Sequence, residues 1–304
     1  MTGSYSAMKF YIVTPTFNAL SWLQRCIRSV ADQVAEGVEI HHHVQDGGST
    51  DGTPAWLQTW QEEHQGVQGY SFTFESGKDA GMYDALNKAW EKIPSDADVT
   101  AHLNSDEQYL PEALKNVSTE ILAHPDADIL ACAFIIVDGE GRYICHRRPV
   151  SPLSLRSRVV CELNTCACFH RVSVFKEHGI RFDTRYRSIA DMVMYRDIIR
   201  YGIRVKALPG LLTSTFAVTG SNLAWTEVTE AEMPLLEAET PGWLTRCKKV
   251  MNLWSNLGRR VNDWLCDAPQ SYALFLKSDA GRTLKNIKHP TAHWGMRSEA
   301  IDED

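Results

Sequence analysis

No stretch of this 304-residue sequence approaches the ~18 consecutive apolar residues that a bilayer-spanning helix needs. The opening MTGSYSAMKF has no apolar run ahead of the first strand pattern, so no secretory leader is expected and the cytoplasm is the expected location. Positive charge is also scarce. The 31 Lys and Arg against 38 Asp and Glu leave a formal net charge of −7, which speaks against a nucleic-acid partner. The eight cysteines form no C-x-x-C pair, so neither a disulfide framework nor a zinc ribbon is indicated. There is no internal repeat and no low-complexity tract. Hydrophobic residues at 44% and charged residues at 23% are ordinary for a globular chain, so disorder is expected only near the ends.

What is present is enough chain for one large α/β domain or two modest ones. Strand patterns at 9–17, 38–45, 70–74 and 99–105 alternate with helical patterns at 20–33, 53–64 and 82–93. That alternation predicts an open, mostly parallel sheet flanked by helices. After residue 110 the spacing predicts a helix at 111–123, strands at 128–137 and 143–147 around the turn DGEG, and helices at 172–178 and 191–201. From about 226 the composition shifts. An acidic stretch is followed by Trp243, Cys247, Val250, Trp254, Leu257, Val261 and Trp264, spaced as one apolar stripe on a long helix at 243–265. Lys248, Lys249, Arg259 and Arg260 lie off that stripe. The stripe either packs on the domain or a second subunit, or lies in a membrane interface with its cations on anionic lipids. The tail RTLKNIKHPTAHWG carries no assignable pattern.

Five segments carry candidate chemistry. TPTFN closes the first strand, so Thr14, Pro15 and Thr16 stand where ligands of open α/β sheets bind. DGGSTDG follows the second strand; Asp46 can accept from a base N–H or a ribose hydroxyl, and Gly47 and Gly48 would let a ligand approach the backbone. The plainer reading of this segment is a turn that caps the next helix. ESGKDAGMYDALNKA brings Lys78 and Gly81 to a helix start, a setting that favours anions, with Asn87 further along. LNSDE ends an apolar strand in Asn104, Ser105, Asp106 and Glu107, oxygen ligands suited to Mn2+ or Mg2+ bridging substrate phosphates. Asp191, just ahead of an apolar helix, is either a helix cap or a general base. A sixth segment, NTCACFHR, would place Cys166, Cys168 and His170 on one strand face, as a metal trio or as a buried strand of small sulfur side chains.

The order TPTFN, DGGSTDGT, SGKDAGMYDALNKA, LNSDE and FDTRYRSIADMVMYRDIIRYG resembles the inverting family 2 glycosyltransferases with the GT-A fold, over roughly residues 8 to 222. The resemblance implies a GT-A domain at 1–225, with a nucleotide-binding half at 1–107 and an acceptor half at 108–225, and a helical C-terminal extension at 226–304. It implies that Asp46 contacts the nucleotide base, that Asp106 and Glu107 hold the divalent cation, and that Asp191 is the catalytic base. The implied donor is a nucleoside-diphosphate sugar, with uridine diphosphate the expected nucleotide. The implied acceptor is a cell-surface glycan precursor or a lipid-linked one. Two positions depart from the family pattern. Asn104 stands where the first acid of Asp-x-Asp-Asp is usual, and Ala190 where Glu often precedes the base. Two other readings stay open: a nucleotide-sugar-binding protein that is weak or inactive as an enzyme, and a nucleotidyltransferase. The latter needs no acid at 191, and no glycine-rich phosphate loop follows the first strand.

Overall fold

The computed structural model describes residues 6–150, 163–219, 227–240, 242–277 and 281–292. Its first half builds four parallel strands, β1 (Met8–Thr16), β2 (Val38–Asp46), β3 (Tyr70–Ser76) and β4 (Val99–His102). They are linked through α1 (Leu20–Ala31), α2 (Thr53–Glu63) and α3 (Met82–Trp90). β1 is buried on both faces, as a central parallel strand must be. Phe10 and Ile12 enter one apolar layer while Tyr11 and Val13 enter the other. The helical spacing of Leu23, Ile27 and Val30 puts all three of these α1 residues in the core.

The second half supplies β5 (Glu107–Tyr109), α4 (Ala113–Ala123), β6 (Ile129–Asp138), β7 (Tyr143–Arg147), a 3-10 turn (Thr165–Ala167), β8 (Cys168–Arg171), α5 (Val172–His178), α6 (Ala190–Arg200) and β9 (Val205–Val218). The nine-stranded sheet runs β3-β2-β1-β4-β8-β6-β9-β5, with β7 on the side of β6. β8 is antiparallel to both β4 and β6, and β9 is parallel to β6, so β1 to β4, β6 and β9 all point one way. The sheet is therefore mostly parallel, as expected. β2 and β4 flank β1 on opposite sides, which opens a crevice beyond the carboxyl ends of these strands.

Two local expectations change, and one strand stands where no element was expected. The trio Cys166, Cys168 and His170 does not share a strand face. Cys166 sits in the 3-10 turn and belongs to one apolar layer, whereas Cys168 on β8 belongs to the other. β9 is a 14-residue strand through Pro209-Gly210, a dipeptide that reads as a turn. Its ladder with β6 slips register between Cys132 and Phe134, next to that dipeptide, which is how a strand absorbs a proline and a glycine. The helix expected at 243–265 is two: α8 (Gly242–Arg246) and α9 (Lys248–Leu265), separated at Cys247.

The C-terminal part also holds α7 (Glu227–Ala238) and, beyond the helices, an antiparallel pair, β10 (Ser271–Leu274) and β11 (Thr283–Asn286). This hairpin packs Tyr272, Leu274 and Ile287 against Ile135, Val137 and Ala217 of the main sheet. The Gln108 side chain pairs with both backbone polar groups of Phe275, at 3.0 and 2.8 Å. Arg282 donates to the carbonyls of Tyr109 and Ala273 at 2.9 and 3.1 Å and reaches Asp32 on α1 at 2.5 Å. Gly141, at φ +74, faces Leu274 and Leu276 so closely that a Cβ there would collide with them.

α9 meets the body through Met251 and Ser255, both buried, through Gly258 laid against Val150, and through Asn262, which donates to the Pro149 carbonyl at 2.9 Å. Its apolar stripe is on another face and is exposed, Trp264 at 84%. Among the described residues no helix is long and apolar enough to cross a membrane.

Candidate active site

The carboxyl ends of β1, β2 and β4 carry the predicted motifs, and the loops there lock one another. Asn18, in the left-handed region at φ 49, accepts from the Thr50 N–H at 2.8 Å, while its own N–H donates to Ser49 Oγ at 2.7 Å. Asp51 accepts from the first N–H of α1 (Leu20, 3.0 Å) and from the first of α2 (Thr53, 3.1 Å), so one carboxylate starts both helices. The capping reading of DGGSTDG thus holds for Asp51. Asp46 is fully buried; Oδ1 accepts from Ser49 Oγ and Oδ2 from Ser76 Oγ, both at 2.5 Å. Gly47 leaves room for the Asp79 carboxylate and Gly48 for the backbone of Lys78. These two glycines therefore serve the contact between the loops after β2 and β3.

The remaining predicted residues divide into inward and outward groups. Thr14 is fully buried, with Oγ1 2.9 Å from His42 Nε2. Pro15 is buried beside it. Asn87 on α3 grips the backbone of Phe182 from both sides, each bond 2.9 Å. Lys78 and Gly81 are exposed at the loop that opens α3. Ser105 is half-buried at the mouth of β4.

Thr16 Oγ1 and Asn104 Oδ1 are buried with no hydrogen-bond partner among the described residues. They stand at the ends of neighbouring strands, β1 and β4. Buried polar atoms are ordinarily paired, so two such atoms at the ends of neighbouring strands are exceptions to that rule. Glu107 organises this corner. Its oxygens accept from the Asn104 N–H at 2.7 Å and from Asn104 Nδ2 at 3.4 Å, which turns Asn104 Oδ1 outward from that pair. Burial pushes the Glu107 carboxyl up to about 8, and the charges of Asp106 and Asp191 add to the shift. Asp106 is half-buried and accepts from Thr219 Oγ1 at 3.4 Å.

Asp191 occupies the first turn of α6. Burial raises its carboxyl to about 6, and hydrogen bonds from the Met192 N–H and from Tyr83 oppose the rise. Tyr83 comes from the motif that opens α3, and its one hydroxyl proton is shared between Asp191 and the Ser188 carbonyl, 3.3 Å away. Behind this turn, Glu232 of α7 accepts from three consecutive backbone N–H groups, Arg187, Ser188 and Ile189, at 2.6, 3.0 and 3.2 Å. A carboxylate at the positive end of a helix stabilises that end and fixes the turn that carries Asp191.

Sequence reasoning missed Tyr83, Glu232, Ser49 and Asp51 as organisers. Tyr83 and Asp51 lie inside the quoted motifs, so the signal was there. Glu232 is one of several acids on α7 and nothing local singles it out.

Among the described residues no three His, Cys, Asp or Glu side chains gather tightly enough to chelate a metal ion alone. The corner does fit a hard cation held by one carboxylate, Asp106, and a neutral oxygen, Asn104 Oδ1, with ligand phosphates completing the shell. That is the usual mode of Mg2+ on nucleotides.

An uncharacterized glycosyltransferase of Mycobacterium tuberculosis is 37% identical over 83 residues, which cover 27% of this chain and 29% of that relative. S. aureus TarS 1–349 in complex with UDP-GlcNAc superposes with a TM-score of 0.58 at 19% identity, covering 76% of this chain and 66% of that one. The mannosyltransferase PcManGT from Pyrobaculum calidifontis, in complex with GDP-Man and Mn2+, gives 0.58 at 16% identity, covering 85% and 74%. At such identities the two superpositions speak for the fold, which is that of GT-A glycosyltransferases. The family model described as Glycosyl transferase family 2 matches residues 11–179, more than half of the 304 residues, and the chain belongs to that family.

Proposed function

We propose that this family 2 glycosyltransferase moves a sugar from a uridine-diphosphate sugar to an acceptor hydroxyl with inversion, in the synthesis of a cell-surface polysaccharide or glycolipid. The observation that carries the reading is the pairing of two acids at the crevice, Asp106 after β4, backed by the buried Glu107, and Asp191 in the first turn of α6. Among them Asp191 has a proton affinity suited to a base near neutral pH.

The acceptor hydroxyl gives its proton to Asp191 as its oxygen bonds to the anomeric carbon. The bond from that carbon to the diphosphate oxygen breaks on the opposite face, and the nucleoside diphosphate leaves with the electron pair. A bound Mn2+ or Mg2+ would neutralise the charge that builds on the diphosphate. Asp106 would hold it, with Glu107 fixing Asn104 beside it. Asp46 would take the base once the Ser49 or Ser76 hydroxyl that cages it gives way; Thr16 and Asn104 would take the ribose or sugar hydroxyls, and Lys78 and Gly81 the phosphates. Thr14, Pro15, Ser105 and Asn87 shape the walls, Asn87 by way of Phe182.

The test is a donor panel. Nucleotide sugars are added with and without Mn2+, and both thermal stability and release of nucleoside diphosphate are followed. A uridine-diphosphate sugar should stabilise the protein and be turned over slowly even without acceptor. Stabilisation by no nucleotide sugar at all would sink the proposal. Stabilisation without turnover in the presence of acceptor glycans would support a binding role instead.

A further inference from the structure

The face that α9 turns away from the body has no covering element among the described residues. Val250, Leu253, Trp254, Leu257, Val261, Trp264 and Leu265 all point outward from it, at spacings of three and four. An apolar strip of this length on a water-facing helix calls for an occupant.

Charge says which occupant. Residues 242–265 carry Arg246, Lys248, Lys249, Arg259 and Arg260 against one acid, Asp263, in a chain whose net charge is −7. Asp263 is already engaged: Oδ1 lies 2.9 Å from His146 Nε2 and 3.3 Å from Arg148 Nε. Lys249 is four residues from Leu253, and Arg260 is four from Trp264, so these exposed cations border the strip. Along that border, between α9 and the end of β7, lies a cavity of about 430 Å3. Its lining includes three cations, Arg147, Arg259 and Arg260, against the one carboxylate, Asp263, together with His146 and Asn256. A second copy of the chain is a poor match. Antiparallel two-fold pairing through the strip would set its bordering cations against the same cations of the copy.

We propose that α9 docks the protein on an anionic lipid surface, with Trp254 and Trp264 in the interface and lipid phosphates at Arg147, Arg259 and Arg260. The helix would lie in the plane of the membrane, its apolar face among the acyl ends of the headgroups and its cations on their phosphates. A lipid-linked acceptor would then meet the crevice by diffusion in two dimensions, which is the one point that rests on the transferase reading. Docking itself can be read without turnover.

The experiment uses the full chain and vesicles of phosphatidylcholine with or without phosphatidylglycerol, at low and high salt. The expected result is co-sedimentation with the anionic vesicles only, weakened by salt, with tryptophan emission shifted to the blue and quenched by brominated acyl chains. Trp254→Ser with Trp264→Ser should abolish the quenching. Arg259→Gln with Arg260→Gln should weaken binding about thirtyfold, the weight of two cations near an anionic leaflet. All four side chains lie on the outer surface or the cavity wall, so unchanged circular dichroism and unchanged stabilisation by donor will show that fold and crevice are intact. Four outcomes would overturn the proposal: no vesicle binding, equal binding to neutral vesicles, displacement from vesicles by millimolar inorganic phosphate alone, or self-association through the strip in place of lipid binding.

Discussion

At the scale of single residues, Asp191 and Tyr83 make a coupled pair whose chemistry can be read from a pH profile. Below about pH 6 the protonated Asp191 cannot accept a proton, so kcat/KM should rise through about 6 and level off above it. Tyr83 favours the ionised form, so Tyr83→Phe should move that acid limb to higher pH while the plateau falls little. Asp191→Asn should lower turnover by roughly 10²–10⁴-fold across the whole profile with donor affinity nearly unchanged. Loss of donor binding in its place would make Asp191 a structural cap. Asp106→Ala should remove the response of nucleotide binding to Mn2+; an undiminished response would place the cation elsewhere. Much of this was legible beforehand because motif order fixes strand ends. The fine roles were not. Asp46 and Asp51 look alike in DGGSTDG, and only burial separates a caged carboxylate from a double cap.

At the scale of elements, α6 is held by α7. Glu232 closes three N–H groups ahead of the helix, and Arg196 on α6 reaches Glu239 at 3.0 Å. Glu232→Gln keeps an acceptor oxygen but removes the charge. It should lower kcat about tenfold, the weight of one charge at a helix end, and leave donor KM nearly unchanged. A parallel fall in both parameters, or a loss of stability alone, would contradict a role in placing Asp191. Elements with a strong period were readable: α1, α3 and the strands of the first half sit where their patterns place them. β9 was hidden by Pro209-Gly210, because propensity counts against a strand that a bulge nevertheless admits. The direction in which α9 faces was hidden for another reason. Periodicity shows that a stripe exists but not whether the body covers it.

At the scale of the whole molecule, the main sheet and the β10–β11 hairpin are one piece. Arg282 ties the β10–β11 hairpin to β5 and to the C-terminal end of α1 by three hydrogen bonds, to Tyr109, Ser29 and Asp32. Arg282→Ala would take a donor from the carbonyl of the buried Tyr109 and should cost about 1–3 kcal/mol in denaturant unfolding. An unchanged midpoint would mean that the hairpin is held by its apolar contacts alone. None of this was visible in the tail sequence, since its residues acquire meaning only against Gln108, Gly141 and Ile135, more than a hundred positions earlier. The clamp also sets an order of events during translation. A ribosome delivers the polypeptide from its first residue onward, so the sheet can assemble while Ser271 to Asn286 are still inside the exit tunnel. For that interval Ile135, Val137 and Ala217 lack their cover, and the wall beside Asp106 stays open. The nascent chain therefore stays open to chaperones and proteases at this edge of the sheet until Ser271 to Asn286 have emerged and docked.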